Sequence, residues 1–335
     1  MTTQPTPADQ PQPQQQSEAQ DQAQSEAQAQ QQSESQDQTQ SPAQSPASRG
    51  SSDSAGSFVP SPAEVEAYLR RIGAERPVRA DAAALRELHL LHLRTVPFEN
   101  LSIHLGEPVV LDEKALLDKV VSARRGGFCY EINTAFAVLL RGLGYGVELL
   151  QARVVGEGGK LGIPYDHMAL RVETVEGERW LADVGFGDHS HFPLAFDARD
   201  DQEDPGGVFR IAETADGDLD VLRDGKSQYL METRPRELAD FAAGAWYHRT
   251  SPDSHFPRSL ICSRLTEEGR VSLSGTKLIT RAHGERDERV LGGDDEVREA
   301  YRELFGIELD ALPVVARPPV RKEEVDKEDV NSDSR

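Results

Sequence analysis

Large apolar residues are almost absent from positions 1–57, where Gln, Ser, Ala, Asp, Glu and Pro dominate, and then recur with helical spacing. With so little to bury, residues 1–57 cannot offset the entropy of ordering and read as a disordered Gln/Ser-rich tail. Order begins at Ser61-Pro62-Ala63-Glu64, a capping box with proline at the first helical position. Val65, Tyr68, Leu69 and Ile72 follow on one face, and Gly73 ends that helix. A second apolar helix is predicted around Asp81–Leu93. A third runs from Asp112 through Leu116, Leu117, Val120 and Val121 to the two glycines Gly126 and Gly127. Ile132, Phe136, Leu139, Leu140 and Leu143 then mark a fourth helix with Cys129 in its first turn. Beyond Gly144 the period shortens to that of strands, most clearly at 147–155, 168–172 and 180–184. The polar, glycine-rich loop 156–166 lies directly before His167 and is placed over the pocket. Further on, the pattern predicts a helix over 234–247, a hairpin over 266–280 turning at Glu268-Gly269, and a last helix at about 296–305. A charged run past Pro318 reads as a frayed tail. No tandem repeat is visible.

Charge narrows the partners. Of a formal net charge of −21 on 335 residues, the two tails carry −6 and −2, leaving −13 on the body. Such a balance argues against nucleic-acid backbones and anionic membrane surfaces, while a local basic groove for a phosphorylated cofactor stays compatible with it. Only Cys129 and Cys262 are present, so no disulfide framework is indicated and a reducing, cytoplasmic setting is the natural inference. No stretch reaches bilayer-spanning length, and the N-terminus lacks the features of a secretory signal.

The chemistry gathers around Arg124-Arg125-Gly126-Gly127-Phe128-Cys129-Tyr130-Glu131. At a helix N-terminus the free N–H groups and the positive dipole end stabilise a thiolate, and Arg124 and Arg125 are placed to add to that field. The alternative for Cys129 is a small buried hydrophobe. His167 opens one strand and Asp183 closes another, with a turn at 174–178 between them. If the register sets them on one face, directly or diagonally opposed, Asp183 holds the imidazole while its other nitrogen meets the Cys129 sulfur; a shift of one residue separates them. A Cys–His–Asp set makes chemical sense because the imidazole takes the thiol proton and the carboxylate favours the charged ring. His189 and His191 lack a convincing further ligand and read as a polar loop, so no metal is expected.

At this point the motifs resemble those of the arylamine N-acetyltransferases. Arg125–Glu131 is similar to that family's active-site signature, Val96-Pro97-Phe98-Glu99-Asn100-Leu101 to its upstream signature, His167-Met168-Ala169-Leu170 to its histidine strand and Asp183-Val184-Gly185-Phe186-Gly187 to its aspartate motif. Ser251-Pro252 and Cys262-Ser263-Arg264 also resemble bacterial members. The likeness spans roughly residues 61–318. It implies an α+β fold with an N-terminal helical bundle, a central β-barrel and a C-terminal α/β lid, in a cysteine-protease-like triad arrangement. The implied division is 58–143 for the helical part with the nucleophile, 144–248 for the barrel with His and Asp, and 249–318 for an interdomain segment and lid, between tails at 1–57 and 319–335. It further implies Cys129, His167 and Asp183 as catalytic residues and acetyl-CoA as co-substrate. An aromatic amine or hydrazine would be the acceptor in a ping-pong reaction through an acetyl-cysteine, within xenobiotic metabolism. By the same resemblance Glu131 holds the arginines of the cysteine loop.

Phe98, Tyr165 and Phe186 are candidates for an aromatic-amine pocket, with packing in the core as the other reading. The loop 156–162 reads either as an approach for the pantetheine arm of the cofactor or as a plain hairpin connection. Competing functions keep the triad but change the acyl group or acceptor: an amide synthase acting on a polyketide chain, or a transglutaminase-like enzyme or thiol hydrolase. A scaffold working through its Gln-rich tail is the reading from a different class. The oligomeric state is left open.

Overall fold

The computed structural model describes residues 58–315, so the expectations for both tails lie outside the described residues. The first part is helical: α1 (Pro62–Ile72) and α2 (Ala82–Thr95) lead through strand β1 (Phe98–Glu99) into α3 (Leu101–Leu105), α4 (Glu113–Val121) and α5 (Cys129–Gly142). Their starts follow from local chemistry. Ser61 and Glu64 form the expected capping box, and Asp81 and Asp112 cap α2 and α4 through the amides of Ala84 and Ala115. Nearly all of α5 is buried from Cys129 through Leu140, as befits a helix apolar on most sides.

The fourth helix of this series, α4, stops at Val121 and not at the glycines. Arg71 explains the early end: its guanidinium donates to the carbonyls of Val120 (3.1 Å) and Arg124 (3.3 Å), replacing the bonds a further helical turn would supply. Gly126 and Gly127 serve close approach. A Cβ on Gly126 would sit 1.8 Å from the Pro97 oxygen, and one on Gly127 would sit 2.6 Å from the Glu131 side chain.

Eight strands follow in a single antiparallel sheet: β2 (Gly146–Val154), β3 (His167–Glu173), β4 (Arg179–Ala182), β5 (Leu194–Ala195), β6 (Gln202–Asp204), β7 (Gly207–Glu213), β8 (Leu219–Arg223) and β9 (Lys226–Arg236). Their order, β5-β4-β3-β2-β9-β8-β7-β6, leaves β5 and β6 as the two edges. The side-chain amide of Gln202 bridges that seam, accepting from the Ala195 N–H (2.7 Å) and donating to its carbonyl (3.1 Å), so the sheet is nearly closed into a barrel. Period-two alternation divides β3 between two cores. Ala169 points into the barrel with Leu181, Phe209, Ile211, Val221, Tyr229 and Met231, whereas Met168, Leu170 and Val172 join the helical core against α5.

The predicted helix over 234–247 begins later than expected. Residues 234–236 still belong to β9, where Pro235 pairs opposite Leu150. A proline is tolerated there because β8 pairs no further along β9 than Met231, leaving that flank free of ladder bonds. A single turn of 3-10 helix at Leu238–Phe241 then leads into α6 (Ala242–Thr250).

A second sheet orders β1, β10 (Cys262–Leu265), β11 (Gly269–Ser274), β12 (Lys277–Ala282) and β13 (Glu285–Val290), and α7 (Asp294–Phe305) packs on it through Val297, Ala300, Tyr301 and Phe305. The expected single hairpin over 266–280 is two: β10–β11 turns at 266–268, and β11–β12 turns at Gly275 (φ +60°). Gly269 opens β11 because a Cβ there would lie 2.0 Å from the Arg281 carbonyl oxygen. Phe98 and Glu99 pair with Ser263 and Cys262, so the segment just before α3 fastens this sheet to the helices.

Candidate active site

Cys129 is the first residue of α5 and only 4 % exposed. Its helix start is held by Glu131, whose carboxylate accepts the Phe128 N–H (3.2 Å) and pairs with Lys119 Nζ (2.5 Å). The loop arginines expected as partners of Glu131 lie elsewhere. Arg125 donates to fully buried Glu99 (3.0 Å) and to Glu107 (3.1 Å), and the Arg124 guanidinium lies beside Gly306 at the end of α7. The charge of Arg125 is therefore paired, and it adds little to the field of the helix terminus at the cysteine. Burial disfavours the Glu99 charge, yet Lys119 and Arg125 overcome this and hold its carboxyl below the ordinary range; at Glu131 burial, with the Glu99 charge behind it, outweighs Lys119 and raises it.

On the barrel side, Leu170 pairs with Ala182, so the register carried one residue further sets Asp183 opposite Ala169, diagonal to His167 on the same face. His167 Nε2 and Asp183 Oδ2 are 2.7 Å apart. Both groups are buried. Burial opposes the charge on the ring, but Asp183 and then the Cys129 side chain stabilise it, lifting His167 from 6.5 to about 10. In turn His167, with help from His189 and the Asn133 amide, keeps the Asp183 carboxyl far below its usual value despite burial.

Asn133, one helical turn after Cys129, joins the three parts. Its Nδ2 donates to Asp183 Oδ1 (3.0 Å) and to the Met168 carbonyl (2.6 Å), and its Oδ1 accepts the Val184 N–H (3.0 Å). The loop that follows crosses the cysteine backbone: a Cβ on Gly185 would lie 2.7 Å from Cys129 Cα. Sequence reasoning missed Asn133, although an amide at i+4 from the cysteine on an otherwise apolar helix was a usable signal.

The aromatic candidates divide. Phe186 meets the His167 ring edge-on at 5.2 Å, and Phe98 lies against Gly187. Tyr165 instead packs against Phe241 at 5.5 Å, and its carbonyl accepts the Tyr130 hydroxyl (2.6 Å). Tyr165 and Asp166 end the glycine-rich loop, in which a Cβ on Gly162 would strike the Asp166 carboxylate. His248 Nε2 reaches that carboxylate at 3.0 Å, and its Nδ1 lies 3.1 Å from Ser254 Oγ. His189 departs from the expected polar loop. It is buried, stacked on Tyr229 (5.6 Å) and tilted against Phe209 (4.7 Å), because the barrel interior supplies aromatic rings for it. Among the described residues no group of three or more His, Cys, Asp or Glu side chains converges as a metal site would require. A cleft of about 740 Å³ between the barrel and the second sheet is lined by Arg223, Arg270 and Arg281, all gathered around Asp188 (3.7, 3.5 and 3.1 Å). Guanidinium groups so arranged are suited to phosphate oxygens. No helix among the described residues is long and apolar enough to cross a membrane.

Residues 81–314 match the family model described as N-acetyltransferase, which sets the class of a fold made of helices, a near-closed barrel and a second sheet. Curated relatives narrow it. The arylamine N-acetyltransferase of Mycolicibacterium smegmatis is 33% identical over 254 residues, covering 73% of this chain and 92% of the relative, and the Salmonella typhimurium arylamine N-acetyltransferase / N-hydroxyarylamine O-acetyltransferase is 33% identical over 72% of this chain and 88% of its own length. Among solved structures, arylamine N-acetyltransferase from Salmonella typhimurium superposes with a TM-score of 0.69 at 30% identity over 76% of this chain and 94% of that one. The Mycobacterium marinum enzyme in complex with CoA gives 0.67 at 30% identity over 72% and 92%. This chain belongs to the arylamine N-acetyltransferase family and is an acetyltransferase.

Proposed function

We propose that the protein transfers an acetyl group from acetyl-CoA to arylamines or arylhydrazines by a ping-pong mechanism, with Cys129 as nucleophile and His167 and Asp183 completing the triad. The observation that carries this reading is the His167–Asp183 bond of 2.7 Å on a loop whose Gly185 presses on the Cys129 backbone. Because Nε2 is bonded to Asp183, Nδ1 is the nitrogen left to serve the sulfur, as in cysteine proteases. In the first step His167 takes the Cys129 proton, and the thiolate so formed is the nucleophile. The sulfur attacks the acetyl carbon and the carbon–sulfur bond to CoA breaks. His167 gives its proton to the departing CoA thiolate, leaving a thioester on Cys129. In the second half the amine nitrogen attacks that thioester, His167 takes the amine proton, and Cys129 leaves as thiolate. Phe98 and Phe186 flank the acceptor, and the reaction calls on no metal. The separate barrel core and second-sheet core support a barrel and a lid, although the helical core also takes in Met168, Leu170, Val172 and Leu265 from those parts.

The test is intact-mass spectrometry after mixing with acetyl-CoA and no acceptor. One acetyl group is expected on Cys129, discharged by an arylamine with stoichiometric CoA release, and Cys129→Ser should take up none. Acetyl transfer at near-normal rate by Cys129→Ser would defeat the reading, and a requirement for a longer acyl donor would move it to the amide synthases.

A further inference from the structure

Of the buried histidines that the reaction does not use, His89 is the one with both ring nitrogens committed to the site. It lies in the middle of α2, fully buried, with its ring edge-on to Phe136 of α5 at 6.1 Å. Nε2 is 3.2 Å from the backbone nitrogen of Asp183, and Nδ1 is 3.0 Å from the carbonyl oxygen of His191. An amide N–H only donates and a carbonyl oxygen only accepts. The ring must therefore carry its single proton on Nδ1 and offer the Nε2 lone pair to Asp183. A second proton would set N–H against N–H at Asp183.

These two bonds close the loop from Asp183 to His191 at both ends. Within it lie Gly185 on the Cys129 backbone, Phe186 edge-on to His167, and Asp188 among the cleft arginines. Asn133 holds the Asp183 carboxylate and the Val184 amide from α5, while His89 holds the Asp183 amide and the far end of the loop from α2. The two side chains grip different atoms from different helices.

We propose that His89 is a positioning residue for acyl transfer, fixing this loop so that the Asp183 carboxylate stays on His167 Nε2. The inference rests on the triad reading above. If His89 only filled the core, its replacements would matter according to volume. If it acts through the Asp183 amide, they matter according to which hydrogen bond survives. Glutamine puts Oε1 where Nε2 was and still accepts the Asp183 N–H; asparagine puts Nδ2 where Nδ1 was and serves only the His191 carbonyl. Both lose the ring from Phe136. His89→Gln should keep kcat/KM within about threefold of the parent, whereas His89→Asn should lose roughly 10- to 100-fold, in kcat more than in KM. Thermal midpoints and Cys129 alkylation rates are measured alongside. Equal activity of the two variants, or activity that follows the midpoints, would overturn the role.

Should neither variant fold, nitrogen-15 NMR of the unaltered protein decides. Nδ1–H with a bare Nε2 at neutral pH is expected, and the opposite tautomer or a charged ring would overturn the inference. Asp183→Asn separates the two levels of the argument. An active Asp183→Asn would remove the triad reading itself, whereas an inactive one beside a fully active His89→Asn would overturn the part given to His89 alone.

Discussion

Cys129 and Cys262 are both buried, free thiols, and they sit in opposite electrostatic surroundings. Cys129 opens a helix, where N–H groups point outward, and its side chain contributes to keeping His167 charged up to about 10. Cys262 lies in β10 directly opposite Glu99, packed with Tyr301 and Leu273. Burial, and after it the Glu99 charge, pushes the Cys262 thiol far above its ordinary value. Accessible area does not separate these two sulfurs. The sign of what faces each one does: a helix terminus and an imidazolium favour an anion, an apolar sheet with a carboxylate suppresses it. The same carboxylate, Glu99, holds Arg125 in place beside the cysteine loop and adds to burial in keeping the second thiol neutral.

The strongest way to break the contrast is to remove the anion behind the imidazole. Asp183→Asn should lower kcat/KM by roughly 10³- to 10⁴-fold, since the ring loses both its orientation and its charge partner. A pH signature should accompany it. His167 is raised from 6.5 to about 10 in the folded protein, so its contribution to stability is fully present below about 6.5 and is lost as pH rises through about 10. Urea unfolding of the unaltered protein should therefore weaken across that window, and the slope should flatten in Asp183→Asn. A variant that kept the slope and the turnover would show that Asp183 does not charge the ring.

How much of this was legible depended on whether the partner lay nearby in sequence. Cys129 at a helix start could be read from the spacing of Ile132, Phe136 and Leu140, and β2, β3 and β4 from their short period. The His167–Asp183 bond could be posed but not fixed, because a turn at 174–178 admits more than one register and only the observed Leu170–Ala182 pairing sets both side chains on one face. Glu99 was visible as an odd carboxylate among apolar neighbours, yet its partner Arg125 lies on the far side of two helices, and the resemblance had pointed to Glu131 for that task. Short edge strands such as β5 carry too few residues for a period, and their seam depends on one side chain, Gln202. His89, set among leucines in α2, looks like core filling until the fold brings Asp183 to it. The misread helix over 234–247 had helical composition in Leu238–Gly244, but ladder bonds to β2 hold its first residues extended.

A smaller effect, on stability, should follow from Glu99→Gln. It would leave the nearly buried Arg125 without its innermost anion, a loss of about 3–5 kcal/mol in urea unfolding. This variant sharpens the comparison because it also removes the negative neighbour of Cys262. Burial is the larger of the two causes acting on that thiol, so its alkylation in the folded state should stay slow. Fast labelling of Cys262 in a still-folded Glu99→Gln protein would mean that the carboxylate, and not the apolar sheet, is what silences it.

The smallest effect is expected at Cys262 itself. Cys262→Ala removes one buried atom beside Leu273 and Tyr301, worth about 1 kcal/mol by the scale of single-atom core truncations, and touches nothing in the Cys129, His167 and Asp183 set. Its kcat/KM should stay within about twofold of the parent. Alkylation followed by peptide mapping completes the test: in the native state the label should fall on Cys129 in both proteins, and a second label should appear in the unaltered protein only after unfolding. A large loss of turnover in Cys262→Ala, with the thermal midpoint preserved, would mean that the second sheet governs the cysteine loop through more than the Glu99–Arg125 pair, and the two thiols could no longer be treated as independent.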